Sequence, residues 1–170
     1  MENRYFQKAL SNFTTDFAVG GTIRALADKG LNVNEIYERL DYPVSKDTVA
    51  KLVWAHYLDN ATISLSDPKG IASKQAVTYE KTQDEYGRIS YKQVKRSIEL
   101  TGEYLPCDFG KQIYKDKEAF IKKLEILDAR DRDYILGLPW PLETVWHKDD
   151  DRIRRIHTIF QLTIQNKPDI

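Results

Sequence analysis

Two helix-start signals on either side of a proline constrain the fold of this chain more than any other feature. Asn32 can cap a helix, and Glu35 stands three residues later, where a capping box places its carboxylate. Pro43 disfavours helical geometry in the residue before it, so the first helix has to end ahead of it. Ser45 is a good cap for a second helix, over VAKLVWAHYL. The sequence therefore predicts two short helices joined by a tight turn across residues 41–43.

The residues before this pair also have helical periodicity. Apolar residues at three- and four-residue steps predict a buried stripe, formed by Phe6, Leu10, Phe13 and Phe17. A further helix is expected from Thr22 to Lys29, because Ile23 and Leu26 share one of its faces. Gly30 follows where such a helix would end in a left-handed cap.

Beyond residue 60 the pattern predicts a long hairpin. Thr62–Ser66 alternates polar and apolar residues, as a half-buried strand does. Asp67–Gly70 has the composition of a turn, since proline presets φ and glycine accepts positive φ. Ala76–Glu80 can then supply the returning strand.

Helices are expected to dominate the rest of the chain. One is expected from Ser90 to about Gly102, because Tyr91, Val94 and Ile98 are spaced along it. The segment 103–114 is expected to be extended or looped. Two more helices should begin near residues 116 and 150, and their expected core residues are Phe120, Leu124, Leu127, Ile153, Ile156 and Phe160.

The composition restricts the classes of protein to which the chain can belong. Hydrophobic residues make up 41% of the 170 residues, which is enough for a packed core. Lys and Arg number 26 and Asp and Glu 26, and this balance argues against nucleic-acid binding over the whole surface. A single cysteine excludes an internal disulfide, and no apolar run reaches the roughly 20 residues that cross a bilayer. Because MENRYFQKAL lacks a signal-peptide pattern, we expect a cytoplasmic protein without membrane contact.

Residues 32–63 resemble a winged helix-turn-helix domain of the kind found in bacterial transcriptional regulators. The likeness rests on NEIYERL, then VSKDTVAKLV, then HYLDNATI leading into a strand, and it extends over about residues 15–90. In that family the second helix of the pair enters the major groove of DNA, and the hairpin after it touches the backbone. The resemblance implies a transcriptional regulator that binds double-stranded DNA, commonly as a two-fold dimer.

The resemblance also implies which residues would contact DNA. Base edges would be read at the start of the second helix, where the candidates are Ser45, Lys46, Thr48 and Lys51. From Lys69 to Arg96 seven residues are basic and three are acidic, a local excess of positive charge that suits contact with phosphates. The candidate phosphate contacts are Lys69, Lys74 and Arg88.

Together these elements predict an α+β protein that is mostly helical. Residues 1–100 would form a winged-helix-like module, and residues 101–170 a helical C-terminal extension packed on it. No internal repeat, low-complexity segment or obvious linker separates the two parts.

The second helix of the pair leaves another function open. At 100° per residue, Val49 and Val53 lie on its inner side, and Trp54 and Leu58 on its outer side. An outward apolar patch often packs against a partner, so a winged helix could serve protein contact, or pairing with a second copy, without binding DNA. A third interpretation is a ligand-responsive regulator with a pocket lined by C-terminal aromatic residues.

The sequence contains no pattern that predicts a metal site, a cofactor or catalysis. The three histidines and Cys107 lack the close spacing of structural zinc ligands, and His56 is expected to be a hydrogen-bonded core residue. The aspartates at 149–151 precede an expected helix and suit its positive end. The alternating charges of Asp128–Asp133 are typical of a solvated, self-paired surface. Because no phosphate-cradling loop, nucleophile elbow or dinucleotide motif occurs, we expect no enzymatic activity.

Overall fold

The computed structural model describes residues 19–69, 73–99 and 102–162. In these ranges the protein is an α+β structure with more helix than strand, as the sequence predicts. Its elements follow the chain in the order α1 (residues 19–28), α2 (Val33–Glu38), α3 (Lys46–Asp59), β1 (Ile63–Ser64), β2 (Ser73–Gln83), β3 (Ile89–Glu99), β4 (Tyr104–Cys107), α4 (Phe109–Lys115), α5 (Lys117–Ile126), α6 (Ala129–Gly137), β5 (Val145–Lys148) and α7 (Asp151–Leu162). None of these helices combines the length and the apolar character that crossing a membrane requires. The stripe expected at residues 6–17 lies outside the described residues.

The chain forms two compact units, and each draws on both halves of the sequence. Unit 1 comprises Met1–His56 and Asp116–Trp140, and unit 2 comprises Tyr57–Lys115 and Pro141–Ile170. The described part of unit 1 contains α1, α2, α5, α6 and most of α3. The described part of unit 2 contains the five strands together with α4 and α7.

Local hydrogen bonds end α1 and start α2 as the sequence predicts. Gly30 has a φ of +78°, the left-handed conformation expected after a helix, and its N–H donates to the Ala27 carbonyl at 2.9 Å. The Asn32 side-chain oxygen accepts the Glu35 N–H at 3.0 Å, and the Glu35 carboxylate accepts the Asn32 N–H at 2.8 Å. The predicted capping box is therefore confirmed.

The third helix begins where it is predicted, but after a longer connection. Residues 39–45 separate α2 from α3, whereas helix-turn-helix motifs use about three to four residues. The connection is therefore not the tight turn expected. The Ser45 hydroxyl accepts the Thr48 N–H at 3.1 Å and supplies the predicted cap. Val49 and Val53 are buried, as the helical pattern indicates.

The helices expected near residues 116 and 150 are confirmed as α5 and α7. Asp116 caps α5 by accepting the Ala119 N–H at 3.0 Å, and Asp150 caps α7 by accepting the Ile153 N–H at 2.7 Å. The predicted core residues are all buried, namely Phe120, Leu124, Leu127, Ile153, Ile156 and Phe160.

The charged run Asp128–Asp133 is only partly the solvated surface expected. Asp128 and Arg130 are exposed, but Asp131 is buried in the first turn of α6, which Asp128 caps. The helix buries Tyr134 and Ile135, an apolar pair that follows the charges and gives α6 a face toward the core. Charge alternation alone therefore indicates the wrong environment for Asp131.

Helices α2 and α6 approach each other closely within unit 1. A Cβ added to Gly137 would lie 2.9 Å from the Cβ of Val33, closer than such atoms approach in real proteins. Glycine at this position therefore lets the end of α6 pack against α2. Val33 and Ile36 are buried.

Unit 2 contains a three-stranded antiparallel sheet in the order β1–β5–β4. The predicted pairing of Thr62–Ser66 with Ala76–Glu80 is wrong, since β1 pairs with β5 and Ile63 lies opposite His147. Ile63 of β1 and Val145 of β5 are both completely buried. The pairing of β1 with β5, which is distant in the sequence, therefore buries apolar residues of both strands in one core. A pairing between segments so far apart leaves no local sequence signal.

Strands β2 and β3 form a separate two-stranded antiparallel sheet, which we call the ribbon. The register is continuous over the 11 residues of each strand. The helix predicted from Ser90 to Gly102 is wrong, because residues 90–99 belong to β3. The turn that joins the strands is built by Asp84, whose carboxylate accepts the N–H groups of Tyr86 at 3.0 Å and Arg88 at 2.8 Å. Gly87 has the positive φ of +78° that this turn requires.

Candidate nucleic-acid interface

The ribbon exposes nearly all of its described side chains. Between Gln75 and Ser97 every side chain that the structure describes is exposed, apart from Val94, which is half-buried. At about 3.3 Å per residue, each strand is roughly 36 Å long. A two-stranded ribbon of this kind gains little stability from burial, so its side chains remain available to a partner.

Strand alternation gives the ribbon two faces of different chemistry. Odd-numbered residues of both strands share one face, which we call the odd face, and even-numbered residues share the other, the even face. The odd face carries the described side chains of Gln75, Val77, Tyr79, Lys81, Gln83, Ile89, Tyr91, Gln93, Lys95 and Ser97. The even face carries those of Glu80, Thr82, Ser90, Lys92, Val94 and Arg96. We call each pair of residues that lie opposite each other on the two strands a rung. The central rungs of the odd face place an apolar or aromatic residue opposite a polar one, namely Val77 opposite Lys95, Tyr79 opposite Gln93 and Tyr91 opposite Lys81.

The two faces also differ in the arrangement of their charges. The described side chains of the odd face include Lys81 and Lys95 but no carboxylate, and neither lysine forms an ion pair with a described residue. On the even face the Glu80 carboxylate pairs with the Arg96 guanidinium, and Lys92 lies directly opposite Glu80. Within the described part of the ribbon, the odd face thus combines uncompensated positive charge with aromatic rings.

The candidate base-reading residues lie at the N-terminal end of α3. Ser45, Lys46 and Lys51 are exposed, and Thr48 is half-buried. The hydroxyls of Ser45 and Thr48 lie 2.8 Å apart and are engaged with each other in the helix cap. Lys51 forms an exposed ion pair with Asp47 at 3.2 Å. Lys46 is therefore the cation at this helix end that forms no ion pair with a described residue.

The candidate phosphate contacts are spread over different parts of unit 2. Lys69 is exposed in the turn after β1, where the Asp67 carboxylate accepts its N–H at 2.9 Å. Lys74 occupies an even-numbered position of β2 opposite Ile98, and Arg88 is exposed at the turn of the ribbon. Only Lys74 belongs to a strand of the ribbon, since Lys69 precedes β2 and Arg88 lies in the turn.

Sequence reasoning missed the odd face. The lysines of this region contribute to the local charge count, but nothing in that count distinguishes Lys81 and Lys95, or draws in Tyr79 and Tyr91. The signal that could have found them is the alternation from Val77 to Gln83, in which Val77, Tyr79 and Lys81 occupy every second position. Only the register of the two strands brings the four side chains to one surface.

The outward apolar patch expected on α3 is partly covered. Trp54 is half-buried and packs edge-on against Trp140, with ring centroids 5.5 Å apart. The Trp140 indole N–H donates to the Ile135 carbonyl at 2.8 Å, which fixes the second ring. Leu58 is half-buried as well. The Trp54 ring therefore already has a partner within unit 1.

His56, His147 and Cys107 are held by hydrogen bonds. His56 Nε2 lies 2.7 Å from the Asp28 carboxylate, so the expected hydrogen bond is present, but the residue is half-buried rather than part of the core. His147 is buried, its Nδ1–H donates to the Lys148 carbonyl at 2.7 Å, and burial lowers its pKa. Cys107 is buried, and its thiol lies 3.6 Å from the Leu105 carbonyl. Among the described residues no three His, Cys, Asp or Glu side chains are grouped so that they could hold a metal ion.

A small pocket of about 170 Å³ lies within unit 2 between β4 and α7. Cys107, Phe109, Gln112 and Phe160 contribute to its wall, and the Phe109 and Phe160 rings meet edge-on with centroids 5.0 Å apart. His157 also lines it, and its Nε2 is buried without a hydrogen-bond partner among the described residues.

The chain matches no protein-family profile, and it has no significant similarity to curated proteins or to solved structures.

Proposed function

We propose that this protein binds double-stranded DNA and acts in transcription regulation, with the ribbon as its principal contact. The observation that carries the proposal is an exposed ribbon of 11 paired residues per strand, whose odd face holds lysines without a described ion-pair partner beside tyrosines. Its length of roughly 36 Å is close to one helical turn of B-DNA, about 34 Å. The ribbon is therefore long enough to contact several consecutive base pairs.

Electrostatics supports binding through a local surface rather than through the whole protein. The formal net charge is zero, so long-range attraction of the entire chain to DNA is weak. The strands and turn of the ribbon, residues 73–99, contain six lysines and arginines and four carboxylates. Phosphate contacts made by such cations release condensed counterions, which makes the affinity depend steeply on salt.

The N-terminal end of α3 offers an independent contact in unit 1. Lys46 is exposed there, and the positive end of the helix dipole favours a phosphate. The pairing of Lys51 with Asp47 and of Ser45 with Thr48 makes these side chains less available, so we expect this end to contribute less than the ribbon.

The proposal is tested by titrating the full chain with a random-sequence duplex at 50 and 200 mM salt. Affinity should fall by orders of magnitude between the two concentrations. Replacing Lys69, Lys74 and Arg88 with Gln should lower the salt slope by roughly three, because each lost phosphate contact removes about one unit. The matched control replaces three exposed lysines elsewhere, Lys115, Lys117 and Lys122, and should leave the slope unchanged. Absence of binding at 50 mM salt would overturn the proposal.

The alternative function is protein contact through Trp54 and Leu58, including contact with a second copy of the chain. It predicts that Trp54→Ala changes the molecular mass in solution or the capture of a partner while DNA binding is negligible. The packing of Trp54 against Trp140 makes this alternative less well supported, because the ring is already engaged. Light scattering on the wild type and on Trp54→Ala separates the two functions, and an unchanged mass with retained DNA binding rules the alternative out.

A further inference from the structure

We infer that the ribbon enters the major groove of DNA with its odd face toward the bases and reads their edges there. The inference rests on the proposed DNA binding and goes beyond it, since contact with the backbone alone requires neither face in particular. It assigns the odd face to the bases and turns the even face away from them.

The dimensions of the ribbon suit the major groove. Two strands lie about 4.8 Å apart, and their side chains add to that width. The major groove of B-DNA is about 12 Å wide and admits a two-stranded ribbon, whereas the minor groove is about 6 Å wide. The backbone of this ribbon therefore fits the major groove, while only single side chains could enter the minor one.

The odd face carries the chemical groups that read base edges. Gln93 and Gln75 present amides, which pair with the N6 and N7 groups of adenine. Lys81 and Lys95 present ammonium groups, which suit the O6 and N7 acceptors of guanine. Val77 is 47% exposed and provides an apolar surface for a thymine methyl group.

The even face is less suited to the groove, because several of its polar groups are already engaged with each other. The Thr82 and Ser90 hydroxyls lie 2.7 Å apart, and Glu80 pairs with Arg96. A carboxylate turned toward the bases would also approach the phosphates on both sides of the groove and be repelled by them. Because the described side chains of the odd face include no carboxylate, the orientation with the odd face inward avoids this repulsion.

The tyrosines of the odd face could instead support binding to single-stranded DNA, which competes with binding in the groove of a duplex. Tyr79 and Tyr91 lie on neighbouring rungs and are 60% and 44% exposed, so they could stack on the bases of a single strand. Stacking of this kind does not need a groove. Preference for single-stranded over duplex DNA of the same sequence would therefore overturn the groove inference.

Two lysines of the ribbon give a matched pair of variants. Lys81 belongs to the rung with Tyr91, and Lys92 to the adjacent rung with Glu80, so they are neighbours on opposite faces. Lys81→Gln and Lys92→Gln remove the same charge from the same exposed ribbon. With a duplex selected from a random library, Lys81→Gln should lower the affinity by at least about tenfold, and Lys92→Gln by less than about threefold. Thermal unfolding of both variants checks that the fold is kept.

A second measurement probes the groove itself. In the selected duplex, 7-deazapurines replace the purine N7 acceptor, which faces the major groove, without changing Watson–Crick pairing. The affinity of the wild type should fall by at least about tenfold, and Gln93→Ala should lose part of the preference for the selected sequence. Equal effects of the two lysine variants, or full affinity for the modified duplex, would overturn the inference while leaving DNA binding intact. A wild type that binds no duplex at all would overturn the proposed function as well.

Discussion

The surroundings of Cys107 change the chemistry of its thiol. Its side chain is 2% exposed, and burial, followed by the nearby Asp108 carboxylate, raises the pKa of the thiol from 9.0 to about 12. A hydrogen bond from the His147 backbone acts in the opposite direction but is outweighed. The thiolate is the nucleophilic form of cysteine, so the folded protein holds this residue unreactive at neutral and mildly alkaline pH.

We therefore predict that Cys107 resists alkylation in the native protein up to about pH 10. The unfolded chain ionises near pH 9.0, so between pH 9 and pH 12 the unfolded thiol is a thiolate while the folded one keeps its proton. Iodoacetamide labelling followed by mass spectrometry measures this directly, with the same protein in urea as the reactive control. Native labelling at the rate of the denatured control would show that the thiol is open to solvent rather than buried.

At the scale of single elements, the close approach of α2 and α6 should depend on the absence of a side chain at Gly137. Gly137→Ala places a methyl group 2.9 Å from the Val33 Cβ, and the repacking should lower the free energy of unfolding by about 1–3 kcal/mol. Gly21→Ala, in α1, meets nothing within 4 Å and should raise the stability by about 0.5–1 kcal/mol. Urea unfolding measures both changes.

The double variant Gly137→Ala, Val33→Gly identifies the cause of that loss. Its effect should be smaller than the sum of the two single effects, because removing the Cβ of residue 33 leaves room for the new methyl group. Additive effects would mean that the two residues do not limit each other.

The elements that the sequence predicts correctly are those whose signals are local. Asn32 and Glu35 bond to each other across three residues, so their pattern is enough to place the start of α2. The partner of β1 could not be found in this way, since Ile63 pairs with a strand that follows α6. The sequence of residues 90–99 is ambiguous. Its apolar residues fit the spacing of a helix, and they also fit a strand whose successive side chains point to opposite faces. The positive charge of the candidate site is visible in the sequence, but its division between two faces depends on the strand register.

At the scale of the whole molecule, neither unit is one continuous stretch of chain. The described core of unit 1 combines residues from the N-terminal helices with Phe120 and Ile135 from α5 and α6. We predict that a fragment of residues 1–100 does not fold cooperatively, because it lacks those helices and leaves Val33 without its neighbour Gly137. Urea unfolding followed by circular dichroism, compared with the full chain, tests this. A sharp cooperative transition in the fragment would contradict the division into units.

The same division has a consequence for the order of events on the ribosome. Residues 57–115 are synthesised between the two parts of unit 1. Val33 and Ile36 of the newly made α2 therefore stay uncovered until α6 has emerged and can pack against them. Closing a loop of that length costs about 3–4 kcal/mol of chain entropy. During this interval the nascent chain exposes apolar surface that folding chaperones recognise, and the delay ends only when the C-terminal turn of α6 leaves the exit tunnel.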